Sequence, residues 1–189
     1  KKEIMKNTFN IFTYTLVLGL IFFTACDDYL DINENPNNPE DASAPSLLIN
    51  STYETAQNNF RIGDFTSYYV QYLASPNPGG SSDIMDPVSH GNTWLNLYNV
   101  MTDLTDLMDK AEETESIPYR GVAKILMALN LGMTVDAWGD VPYNDAFRFT
   151  TLTPTYDDDE ALYGEIITLL DEGIADLSSE TILSIGSDD

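Results

Sequence analysis

The 189-residue chain has one cysteine, one histidine and only eight lysines and arginines, and each shortage removes a class of function. A single cysteine excludes an intrachain disulfide and any multi-cysteine metal site. With His90 as the lone imidazole, a histidine-based metal site or a Ser-His-Asp triad has no material beyond that residue. Eight cations against 31 acids leave a formal charge of −23, which repels phosphate backbones and anionic membrane faces, so nucleic acid is not an expected partner. There is no Gly-x-Ser-x-Gly elbow and no phosphate-cradling glycine loop. Asp157-Asp158-Asp159 lacks the alternate spacing of a calcium loop and reads as acid placed at a helix N-terminus. Carboxylates that could pair as in a glycosidase are plentiful, but no pair is distinguished. No catalytic residue, metal or cofactor is therefore nominated, and the chain is not read as an enzyme.

What the sequence does have is helical periodicity. Hydrophobic residues make up 43% of the chain, enough for a core. The organising stretch is Ser116 to Phe147: Ser116 as N-cap, Pro118 in the first turn, then Val122, Ile125, Leu126, Leu129 and Met133 at helical spacing. Gly121, Ala123, Ala128 and Gly132 leave room for a close neighbour, and Gly139 with Pro142 stops the helix. Before it, Ser43 and Pro45 open a helix through about Asn59, which Gly63-Asp64 is expected to break. A short aromatic helix then follows over 65–74. A loop from Ser75 to Asn92 precedes a long helix over 93–114, with Leu97, Tyr98, Met101, Leu104, Leu107, Met108 and Ala111 on one stripe. The short connection at residue 115 implies an antiparallel hairpin. Asp157 with Glu160 looks like a capping box for the last helix, which carries Leu162, Ile166, Leu169, Leu170, Ile174 and Leu177. No strand pattern of any length occurs. The expected fold is all-α, built from helical hairpins of tetratricopeptide type, although no clean 34-residue self-similarity accompanies it.

The first 25 residues read as an address. Lys1, Lys2 and Lys6 precede an apolar run from Phe9 to Phe23, too short for the ~20 residues of a spanning helix. Thr24-Ala25-Cys26 closes it as a lipoprotein signal does, making Cys26 the expected lipidated first residue of the mature chain and Met5 the expected start of translation. Residues 26–42 form an acidic, Asn/Pro-rich tether, and residues 43–189 form the folded body.

Aromatic residues are abundant: 11 Tyr, 8 Phe and 2 Trp. Sugar rings stack their C–H faces on aromatics, while Asn, Asp and Arg bind hydroxyls. The loop from Ser75 to Asn92 and its edges gather such residues, so the candidate ligand-binding set is Arg61, Tyr72, Asn77, Asp83, Asp86, His90, Asn92 and Trp94. Core packing competes with ligand stacking as the role of Trp94, of the Tyr68/Tyr69/Tyr72 group and of Trp138.

Five stretches in order carry a resemblance: Cys26-Asp-Asp-Tyr-Leu-Asp-Ile-Asn, Trp94-Leu-Asn-Leu-Tyr98, Tyr119-Arg-Gly-Val-Ala-Lys, Asp136-Ala-Trp-Gly-Asp-Val-Pro-Tyr143 with Ala146-Phe147, and Thr153-Pro-Thr-Tyr-Asp157. Together they resemble the SusD/RagB family of nutrient-binding outer-membrane lipoproteins of Bacteroidetes. The resemblance implies a scaffold of tetratricopeptide-like helix pairs and lipid anchoring on the outer membrane, facing outward. It also implies non-catalytic capture of starch, other glycans or similar oligomers for a SusC-like TonB-dependent transporter. Within the family pattern Tyr98, Arg120, Asp136, Trp138, Gly139, Asp140, Pro142 and Tyr143 are expected to be architectural. Family members are much longer, so the chain is expected to represent the N-terminal part of the fold. A helical-repeat scaffold lipoprotein that contacts only proteins is the alternative reading.

Overall fold

A computed structural model describes residues 42–77, 79–81, 83–148 and 151–179. The expected signal peptide, Cys26 and all of the tether except Ala42 lie outside the described residues. Four helices follow one another: α1 (Ala44–Tyr69), α2 (Gly91–Glu113), α3 (Ile117–Trp138) and α4 (Asp159–Leu177). Among the described residues there is no strand, only a lone antiparallel bridge between Val141 and Asp157. The all-α expectation holds.

Helix α1 starts as the sequence predicts, with the Ser43 hydroxyl accepting the Ser46 N–H and Pro45 in the first turn. It does not break at Gly63-Asp64, and the two helices expected there are one. A glycine inside a helix costs only about 1 kcal/mol, and a Cβ added at Gly63 would meet nothing within 4 Å. The Thr66 and Ser67 hydroxyls donate to the carbonyls of Ile62 and Gly63 one turn earlier, within the same helix. Phe65 and Tyr69 meanwhile pack on rings beyond the helix, so tertiary contacts extend what local propensity would have ended.

Helices α2 and α3 are joined by three residues and form the expected antiparallel hairpin. Leu97, Met101, Leu104 and Leu107 are fully buried on α2, as their spacing predicts. On α3 the expected stripe is rotated. Ala123, Met127, Leu131 and Val135 form the buried row, whereas Leu129 is half exposed. The reason is position: α3 packs against α1, α2 and α4 at once, so its small residues face neighbours as closely as its large ones do. Ser116 is the N-cap residue of α3 as expected, but its hydroxyl makes no capping bond and accepts from Thr114 Oγ1 instead.

Helix α4 is capped by Asp158, whose carboxylate accepts the Ala161 N–H, and not by Asp157. Its main packing partner is α3, through an interface centred on two glycines. A Cβ on Gly173 would fall 2.8 Å from Ile125 Cγ1 and 2.9 Å from the Gly121 carbonyl. A Cβ on Gly121 would fall 3.0 Å from the Gly173 carbonyl. Here the backbones themselves are in contact. Beside this crossing Arg120 clasps Asp176 with two hydrogen bonds of 2.9 and 2.7 Å, and Lys124 reaches both Asp176 and Glu172. These donors hold the Asp176 carboxyl below the usual carboxylate range; the Arg120 bond contributes most, against the opposing effect of burial. The outer face of α4 leaves Ile167, Ile174 and Leu177 exposed, so two residues of its expected inner stripe do not reach the core.

The glycines make opposite predictions. Gly121→Ala and Gly173→Ala each lower unfolding free energy by about 1–3 kcal/mol through overpacking, despite alanine's better helix propensity. Gly63→Ala, in open space, raises it by up to about 1 kcal/mol. Urea denaturation of the three variants checks both signs.

Candidate functional site

The family-pattern residues converge on one corner after α3. Gly139 ends the helix at φ 74°, ψ −125°, a backbone conformation that side chains disfavour, with its N–H on the Val135 carbonyl at 2.8 Å. The chain then turns inward: Val141 and Pro142 are buried. Val141 and Asp157 exchange two backbone hydrogen bonds. The Asp157 carboxylate then accepts the Tyr143 N–H at 2.8 Å, the Asn144 N–H at 3.0 Å and the Asn144 side-chain amide at 2.8 Å. Burial alone would push this carboxyl up, but the hydrogen bonds from Asn144 and Tyr143 together hold it below the usual range.

Further groups tie the corner to its surroundings. The Tyr98 hydroxyl donates to the Pro142 carbonyl at 2.7 Å. Burial, with Tyr156 and Asp157 nearby, pushes that phenol well up. Burial and the charges of Glu165 and Glu172 push Tyr143 up to about 12. Asp140 accepts the Asp159 N–H at 3.1 Å, and Asp136 accepts the Tyr163 hydroxyl. Asp140, Asp158 and Asp159 bring carboxylate oxygens within 4.8 Å of one another. All three residues are exposed, and Asp140 and Asp158 already accept N–H groups of the first turn of α4.

The loop residues divide into two groups. His90 lies flat on Phe65, centroids 3.9 Å apart and planes 16° apart, with its Nε2 buried and without a hydrogen bond. Trp94 stacks on Tyr98 at 4.7 Å and meets the edge of Trp138 at 5.3 Å. Phe65 also approaches Trp138, and Tyr98 stacks on Phe147, so one continuous ring cluster links α1, α2 and the corner. His90 and Trp94 therefore already stack on rings of their own chain. Asp83 spends both carboxylate oxygens on the Ser75 N–H, at 3.1 and 2.8 Å, and fixes the loop. With Tyr68, Ser75, Gly80 and Ser81 it lines a cavity of about 170 Å³, below the ~300 Å³ at which ligand pockets begin. Tyr72 is 87% exposed, and Asn77, Asp86 and Asn92 also face solvent.

Arg61 is placed elsewhere. Its Nη1 donates to Glu54 at 3.0 Å and to Asn58 at 2.8 Å. Asn58 and Asn130, both fully buried, bond each other at 3.3 Å, and Asn130 donates on to Thr55 and to the Leu126 carbonyl. Sequence periodicity read these asparagines neither as core nor as site; their signal was polar residues in register with the apolar row. Above them, Arg61 joins Asn50, Glu54, Asn96, Asn99 and Asp103 around a polar cleft of about 430 Å³ between α1 and α2.

Residues 36–189 match the SusD-like family described as starch-binding associating with outer membrane. The chain belongs to the SusD/RagB family. The structure is also similar to the crystal structure of a SusD/RagB family protein from Bacteroides thetaiotaomicron VPI-5482, with a TM-score of 0.67 at 24% identity. That likeness covers 77% of this chain and 32% of the other, so the SusD/RagB chain described here spans about a third of that relative's length. No curated protein matches the chain. Among the described residues no helix is long and apolar enough to cross a membrane.

The two lowered carboxylates, Asp157 and Asp176, contribute stability that is fully present above the unfolded value of about 3.9 and is lost as pH falls through their native values. Acid titration of the unfolding free energy is expected to fall less steeply in Asp157→Asn than in the parent. Superimposable acid limbs would contradict the role given to this carboxylate.

Proposed function

We propose that the chain is the N-terminal part of a non-catalytic, surface-displayed lipoprotein that captures glycan or similar oligomeric nutrients and passes them to a SusC-like TonB-dependent transporter. The observation that carries this reading is the family match over residues 36–189. The sequence ending in Ala25-Cys26 supports a lipid anchor in the outer membrane, and the acidic tether of residues 26–42 supports outward display. In this reading the exposed loop edge of Tyr72, Asn77, Asp86 and Asn92 meets the ligand. Asp83, His90 and Trp94 frame that edge, and Tyr72 offers a free aromatic face for a sugar ring. The hydroxyl chemistry of a glycan suits amides and carboxylates that bind as donor and acceptor.

Two experiments test it. Affinity purification of the lipidated chain is expected to recover a large β-barrel transporter; recovery of other envelope proteins without a barrel would favour the scaffold alternative. Titration with malto-oligosaccharides is expected to show at least a tenfold loss of affinity in a Tyr72→Ala/Asn92→Ala variant. Binding with unchanged affinity in that variant would remove the loop edge from the site while leaving the capture reading in place.

A further inference from the structure

The cleft between α1 and α2 is built from two facing polar rows. Asn50, Glu54 and Arg61 lie on one helix; Asn96, Asn99 and Asp103 lie on the other at three- and four-residue steps. Val100, almost fully buried, is the single apolar residue among those that line it. One end is closed by a hydrogen bond of 2.9 Å from the Asn50 amide to Asp103. The middle is fixed by Arg61, which is anchored on the buried Asn58–Asn130 pair. Asn50, Glu54, Arg61 and Asp103 are thus held in place before any ligand arrives.

Much of the hydrogen-bonding capacity in this cleft is unspent. Asn96 and Asn99 make no side-chain hydrogen bond among the described residues, and Arg61 uses only Nη1. Glu54 and Asp103 each engage one carboxylate oxygen, leaving the other open. The cleft thus mixes free donors with free acceptors over a short distance. A peptide would want an apolar pocket or a strand edge, and neither is here. Two carboxylates against one guanidinium disfavour an anion. Burial raises the Asp103 carboxyl, opposed by the Asn50 bond and assisted by Asp106, which marks the cleft as partly desolvated.

We propose that this cleft is a binding site for a neutral polyhydroxylated molecule of mono- or disaccharide size. Its volume of about 430 Å³ lies within the ~300–1,000 Å³ of small-molecule sites. Recognition is by hydrogen bonds to hydroxyls, without an aromatic platform, and so differs in kind from the loop edge. Choice of a saccharide deepens the capture reading and rests on it for the ligand class; the position of the site rests on the cleft alone.

Calorimetric titration of the full chain in detergent tests the assignment, with maltose as the neutral probe, spermidine as the cationic one and citrate as the anionic one. Maltose is expected to bind and citrate not to bind. In a Tyr72→Ala/Asn92→Ala background, which removes the loop edge, Asn96→Ala/Asn99→Ala is expected to weaken maltose at least tenfold, with Asp171→Asn on α4 unchanged. Both asparagines are unbonded on the outer part of α2, so the double variant is expected to keep the parent's thermal midpoint. Maltose affinity that survives in the double variant would overturn the cleft assignment while leaving capture intact. Spermidine binding in place of maltose would overturn the neutral ligand class. Failure of maltose to bind at all would overturn the cleft too, while transporter co-purification decides the capture reading separately.

Discussion

One carboxylate holds the far end of the molecule together. Asp157 takes three hydrogen bonds from Tyr143 and Asn144 while its backbone pairs with Val141. The chain between Val141 and Asp157 is thereby closed into a loop whose ends lie side by side. This closure delivers Asp158 to its capping position and sets where α4 begins. Two of the stretches that carry the family pattern, Trp138 to Tyr143 and Thr153 to Asp157, thus meet in space. Their pairing is a physical reason for both to be present in one sequence.

The rest of the fold is organised around α3. It receives α4 through the glycine crossing, α2 through a packed apolar row and α1 through the buried asparagine pair. These three contacts use different physics. The glycine crossing gains from close backbone approach, and the α2 contact from removing leucine and methionine from water. The α1 contact trades desolvation of two amides for hydrogen bonds that fix its register, since an unpaired buried amide would cost about 1–3 kcal/mol. The outward faces of α1 and α4 keep Tyr53, Phe60, Ile167 and Ile174 exposed, in a chain that spans about a third of its structural relative.

The all-α class, the α2–α3 hairpin and the buried row of α2 were legible because apolar periodicity is strong there. The single length of α1 was not, because Gly63 weakens local propensity by less than the contacts of Phe65 and Tyr69 restore. Capping residues shifted by one position, since Asp157 and Asp158 are chemically equivalent and only the corner's geometry assigns their roles. The loop was legible as polar and aromatic, but periodicity does not show that His90 and Trp94 stack within the chain or that Asp83 is consumed by Ser75. Arg61 was expected beside the loop as a ligand-binding residue, but it lies inside α1, where Glu54 and Asn58 of the same helix are its partners. Asn96 and Asn99 were missed because a polar residue on a helix most often faces water, and only the opposing row on α1 makes theirs a cleft.

Architecture and unspent hydrogen-bonding capacity therefore sit on different residues. The family-pattern corner spends its polar groups on its own backbone, while unspent groups lie on the loop edge and in the α1–α2 cleft. The central claim is that the corner is closed by Asp157 in the native state. Amide hydrogen exchange of Tyr143 and Asn144 tests it most directly. The account predicts protection comparable to the core amides of α3, lost only with global unfolding. Rapid exchange at both positions, with α3 still protected, would contradict it.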